Sequence, residues 1–86
     1  MKVKVHRIKL NEAFCDDVLD GRKNFEIRLN DRYYQAGDHI KFIPIDNCGV
    51  EWRHPISERT YQITYVISGY GLERGHVAFG IKEVEE

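Results

Sequence analysis

Long apolar runs, a cysteine framework and an excess of charge of either sign are all missing from this sequence. No stretch approaches the roughly 18 residues of a membrane-spanning helix, so no membrane partner is expected. Residues 1–10 lack the apolar core of a secretory leader. Two cysteines, Cys15 and Cys48, are too few to staple an exported miniprotein, and the expected location is the cytoplasm. Thirteen Lys and Arg against fourteen Asp and Glu leave a net charge of −1. That balance excludes a wholly basic nucleic-acid coat but not a local basic cleft. The four histidines and two cysteines show no C-x-x-C or H-x-x-x-H pairing, so neither a metal nor a cofactor is expected. Strong helix formers are scarce as well: Ala and Leu supply seven residues where Val and Ile supply sixteen. β-Branched side chains fit a pleated surface, and the composition leans towards sheet.

What is present is alternation. The 86 residues suffice for one domain, 1–86, with no linker or internal repeat. Val3 and Val5 alternate with Lys2, Lys4 and His6, which predicts a half-buried strand over residues 2–9. Asn11 is placed to cap a short helix whose buried face carries Phe14, Cys15, Val18 and Leu19. Gly21 stands where a helix ends on a left-handed residue. Phe25, Ile27 and Leu29 then alternate with Asn24, Glu26 and Arg28. Further strands are expected at 39–45, 50–54, 59–68 and 76–84, with Pro44 marking an edge or a bulge. About six strands and one short helix make a mainly β chain, and small all-β domains protect their edges by closing into a barrel. The apolar faces expected to meet inside it carry Phe25, Ile27, Phe42, Ile63, Tyr65, Val77, Phe79 and Ile81.

One segment combines chemistry with geometry. In Gly21-Arg22-Lys23-Asn24-Phe25-Glu26-Ile27-Arg28, two opposite charges two residues apart share one face of a strand, and Lys23 lies just before it. Spacing alone is also met by a solvated sheet face with a weak surface ion pair, worth at most about 1 kcal/mol. The pattern Gly21-x-Lys23-x-x-Glu26-x-Arg28 resembles the Gly-x-Lys-x-x-Glu-x-Arg signature of ASCH domains. Asn30-Asp31-Arg32, Gly37-Asp38, Gly69-x-Gly71-Leu72-x-x-Gly75 and Gly80-Ile81 extend the likeness, in order, towards the DUF3850 branch of that group.

The resemblance implies a PUA-like β-barrel of about six strands that binds RNA or a nucleotide-like ligand beside the motif. It points to Gly21, Lys23, Glu26, Arg28, Arg32 and Tyr70 as ligand-binding residues. Their chemistry suits the role: Lys23, Arg28 and Arg32 offer cations to phosphate, and Arg does so bidentately. Glu26 accepts from exocyclic amino groups or holds Arg28. Tyr33, Tyr34, Trp52 and above all Tyr70, between two glycines, are candidate stacking surfaces. Some small members resemble amidohydrolases acting on N4-acetylcytidine, which makes Lys23 and Glu26 the catalytic candidates of an alternative reading. Those members carry Thr where this chain has Glu26, a departure that shifts weight from hydrolysis to binding. The oligomeric state is left open.

Overall fold

Alternation becomes five strands and one helix in the computed structural model, which describes residues 2–85. Strand β1 (Val5–Asn11) buries His6, Ile8 and Leu10 and turns Val5, Arg7 and Lys9 outward. It starts later and runs further than the expected 2–9. Asn11 ends it and caps helix α1 (Glu12–Leu19), its side-chain carbonyl accepting from the Ala13 amide at 2.9 Å. The helix seats Cys15 and Val18 in the core, while Phe14, expected beside them, stays 45% exposed. Gly21, at φ +82°, breaks the helix with its amide donating to the Val18 carbonyl at 3.1 Å.

Strands β2 (Phe25–Leu29), β3 (His39–Ile45), β4 (Thr60–Ile67) and β5 (His76–Val84) complete one sheet in the order β1-β3-β4-β5-β2. β1 and β3 run parallel over seven paired residues, and every other neighbouring pair is antiparallel. The segment holding α1 and β2 is the crossover that a parallel pair requires. The sheet curls into a half-barrel, and β1 and β2 remain its two free edges. The seam between β3 and β4 is thin, with only His39 opposite Gln62 and Ile40 opposite Tyr61. Ile56, wholly buried on the 3-10 turn Pro55–Glu58, belongs to the core cluster, and that turn packs against β3 and α1. Pro44 pairs with Leu10 of β1 and lies past the stretch of β3 that pairs with β4; its carbonyl accepts from the Trp52 amide at 3.1 Å, so its missing N–H faces that side and not β1.

Three sequence expectations are corrected. The mainly β class holds, but the segment 50–54 makes one bridge, Ile45 to Glu51, and then enters the 3-10 turn, so the described residues form five strands rather than about six, curled into a half-barrel. Phe25 and Ile27 are about half exposed, whereas Glu26 between them is buried. Glu26 lies opposite Phe79 and Arg28 opposite Val77, so the charged positions of β2 face the concave core side. Tyr65 is 68% exposed because the β4–β5 register shifts between Ile63 and Tyr65. Tyr61 and Ile63 point inward before that bulge; after it Val66 does, and the parity of the strand is reversed. A Cβ at Gly80 would stand 2.6 Å from the Thr64 hydroxyl, so the bulged side chain occupies the space glycine leaves. Phe42, Ile63, Val77, Phe79 and Ile81 do converge as expected, joined by Ile8, Leu10, Ile40 and Tyr34. Each such side chain contributes about 1.5–3 kcal/mol by leaving water.

Candidate functional site

The site grows from a carboxylate in an apolar place. Glu26 is 3% exposed, at the end of the sheet where β2 has no further strand beside it. A bare carboxylate there would be costly, and two cations meet it. The Lys23 ammonium donates to Oε2, and the Arg28 guanidinium donates to Oε1 at 2.9 Å through Nε. Both cations are largely covered, with side-chain exposures of 19% and 24%. This is not the solvated ion pair that spacing alone allows.

Each cation also reaches a backbone carbonyl. Lys23 donates to the Phe25 carbonyl of β2 at 2.9 Å, and Arg28 donates through Nη2 to the Lys9 carbonyl of β1. Arg28 therefore spans the gap between the two free edges of the half-barrel. The helix end makes this possible: the Lys23 amide donates to the Asp17 carbonyl at 3.0 Å, holding the chain as it leaves Gly21. Lys23 also lies near two aromatic rings, 5.2 Å from the Phe14 centroid and 5.0 Å from that of Phe25.

Above these groups lies an open groove of about 580 Å³ between the edges, walled by Lys23, Glu26, Arg28, Phe14, Phe25 and the Lys9–Asn11 end of β1. A second cavity of about 480 Å³ shares Lys9, Arg28 and Leu29 with it and adds Arg7, Asp31, Arg32 and Tyr34. The structure thus brings Lys23, Glu26 and Arg28 together and sets Arg32 beside Arg28 in the adjoining cavity. It does not bring Gly21 or Tyr70 into either. Gly21 lines a smaller hollow with Tyr61 and Lys82, and Tyr70 is 92% exposed at the tip of the β4–β5 turn. Of the other aromatic candidates, Tyr34 is buried between His6 and Phe79, with ring centroids 4.8 and 4.7 Å away. Tyr33 is exposed, and Trp52 packs near His54 instead.

Sequence reasoning missed Phe14 and Phe25 as groove walls, and Arg7 and Lys9 as cavity cations. The signal for the last two was present in their i, i+2 spacing on the outer face of β1. What spacing alone does not tell is that β1 and β2 are the facing edges. Among the described residues, no three of His, Cys, Asp or Glu are grouped so as to hold a metal ion, and no helix is long and apolar enough to cross a membrane.

A mainly β half-barrel with a short helix and a charged groove between its edge strands defines a compact class of small domain. Residues 5–81 match the family model described as Domain of unknown function (DUF3850), and the chain belongs to that family. Over 40 residues it is also 45% identical to the "Uncharacterized 12.9 kDa protein in GpA 3'region" of Escherichia phage P2. That match covers 46% of this chain and 37% of the phage protein's length.

Proposed function

We propose that this domain binds RNA or a nucleotide-like ligand in the groove between β1 and β2, in the manner of the PUA-like ASCH domains its motif resembles. One observation carries the reading: Lys23, Glu26 and Arg28 lie on one groove wall beside the half-exposed rings of Phe14 and Phe25. Aromatic faces stack on unpaired bases, and cations attract the phosphates between them. With a net charge of −1, affinity comes from the local cluster, so about two or three phosphate contacts and weak, salt-sensitive binding to short single strands are expected. Both Glu26 oxygens are engaged by cations, an arrangement that suits holding Lys23 and Arg28 in place more than activating water and favours binding over hydrolysis.

Fluorescence anisotropy with short single-stranded RNA at two salt concentrations tests this. Phe14→Ala and Lys23→Ala should weaken binding, whereas Arg74→Ala, an exposed charge change outside the groove, should not. Wild type that binds neither RNA nor nucleotides, or groove variants that bind like Arg74→Ala, would overturn the proposal. Incubation with N4-acetylcytidine should release no acetate above a buffer blank. Turnover lost in both Lys23→Ala and Glu26→Ala would replace the binding reading with the hydrolytic one.

A further inference from the structure

The second cavity has a composition the groove does not share. Arg7 and Lys9 project from the outer face of β1, Arg28 comes from β2, and Arg32 follows the end of that strand. Against these four cations the cavity sets one carboxylate, Asp31. None of the ion pairs among the described residues uses Arg7, Lys9 or Arg32. Gathering Arg7, Lys9 and Arg32, none of them so paired, around one concavity beside the Glu26-paired Arg28 is unfavourable for the fold by itself, and the repulsion is relieved when an anion enters. A chain of net charge −1 has acidic residues enough to neutralise such a cluster, yet here they lie elsewhere.

The cavity is also built into the fold. Tyr34, 3% exposed, forms part of its lining and is held by ring contacts with His6 and Phe79. Burial is the leading cause of a raised Tyr34 pKa; Arg28 and Arg32 lower it and Asp31 and Glu26 raise it, so the hydroxyl stays protonated at neutral pH among charges of both signs. Lys9 and Arg28 border this cavity and the groove alike, so one ligand can occupy both.

We infer that the Arg7, Lys9, Arg28 and Arg32 cavity is a phosphate subsite, and that the domain takes a nucleoside phosphate with its nucleoside in the groove. The inference rests on the groove reading above and narrows it: the ligand is recognised through a phosphate, not as a bare nucleoside. Guanidinium groups bind phosphate oxygens in pairs, which Arg7 and Arg32 are free to do, and with the Lys9 ammonium and the nearby charge of Arg28 they suit a dianionic terminal phosphate better than a singly charged diester.

Calorimetric titration of wild type with the four common ribonucleosides, their 5′-monophosphates and inorganic pyrophosphate tests it. At least one monophosphate should bind about tenfold or more tighter than its nucleoside, with an advantage that shrinks as salt rises. The double variant Arg7→Ala/Arg32→Ala removes two exposed side chains outside the core and relieves their repulsion, so it should keep or raise the wild-type melting temperature while losing that advantage. Equal binding of nucleoside and monophosphate, or an advantage that survives in the double variant, would overturn the subsite and leave the groove reading standing. If no nucleoside, nucleotide or RNA binds, the groove reading fails. Pyrophosphate binding that depends on Arg7 and Arg32 would then still support the anion subsite, and its absence would sink that as well.

Discussion

Phe79 shows what one side chain does in a core this small. It is 2% exposed and packs against Tyr34 in a tilted pair with ring centroids 4.7 Å apart. Phe79→Ala should cost about 3–5 kcal/mol, a large part of the stability of a small domain, read as a drop in the urea midpoint. A change within error would mean that β5 is out of register. Two other buried residues set an alkaline limit. Burial, with Asp16 and Glu12 nearby, pushes the Cys15 thiol from its ordinary 9.0 up to about 11. Burial and Glu83 push the Tyr61 hydroxyl from 10.0 up to about 12. In both, the unfolded chain ionises first. Their contribution is therefore intact below about pH 9 and is lost as pH rises through the folded values. Tyr34 is raised from 10.0 as well, chiefly by burial. Stability should fall between about pH 9 and 12, and Tyr61→Phe should reduce the upper part of that fall. The Tyr61 hydroxyl has no hydrogen-bond partner among the described residues, so the same variant should be neutral or up to about 1 kcal/mol more stable at pH 7. Thermal melts at pH 7, 9 and 11 check both statements; an unchanged alkaline slope would refute the assignment to Tyr61.

At the scale of elements, the β4–β5 turn holds a residue against its own preference. Tyr70 has φ +51° between two left-handed glycines, and the Leu72 amide donates to the Gly69 carbonyl at 3.0 Å. This is a primed turn, which asks for positive φ at both central positions and favours Asn or Gly there. Tyr70→Asn should raise the melting temperature, by the equivalent of about 0.5–1 kcal/mol, and leave nucleotide affinity unchanged because the side chain lines neither cavity. A loss of affinity in this variant would restore Tyr70 to the site. The element boundaries themselves were largely legible. Asn11 and Gly21 bracket the helix by their capping chemistry, and the alternation of β2, β3 and β5 marks each as a strand. Which face points inward was not legible for β2, because an apolar face need not be the buried one where a strand closes the end of a sheet. Phe25, Ile27 and Leu29 line the rim, and Glu26 enters the core side with its own counter-ions. Nor does any local signal mark the bulge at Thr64, since it depends on a partner strand's glycine at position 80.

The whole molecule is a sheet that curls until its edges nearly meet and then lets a side chain cross the gap. Composition pointed to the β class, and the Gly-x-Lys-x-x-Glu-x-Arg resemblance, not spacing alone, pointed to Lys23, Glu26 and Arg28 as a group. The parallel β1–β3 pairing was not readable, because it joins segments 34 residues apart in register, Val5 with His39, and no turn announces it. Without that pairing, nothing in the sequence places the Lys9 carbonyl beside Arg28. The structure gives Arg28 a mechanical role: it satisfies Glu26 and ties β2 to β1. Arg28→Ala should cost about 2–3 kcal/mol, less than for a fully enclosed pair because solvent reaches the guanidinium. Its signature is where the loss falls. Amide exchange should accelerate most in residues 25–29 and 7–11, the two edge strands, beyond the acceleration that global destabilisation brings to β4 and β5. Arg28→Lys keeps a cation near Glu26 but cannot hold both the carboxylate and the Lys9 carbonyl with a planar fork, so it should recover part of the stability and none of the edge protection. Uniform acceleration across all five strands in both variants would show that the two edges are held by packing alone, and that the crossing from Arg28 to Lys9 contributes nothing to the half-barrel's closure.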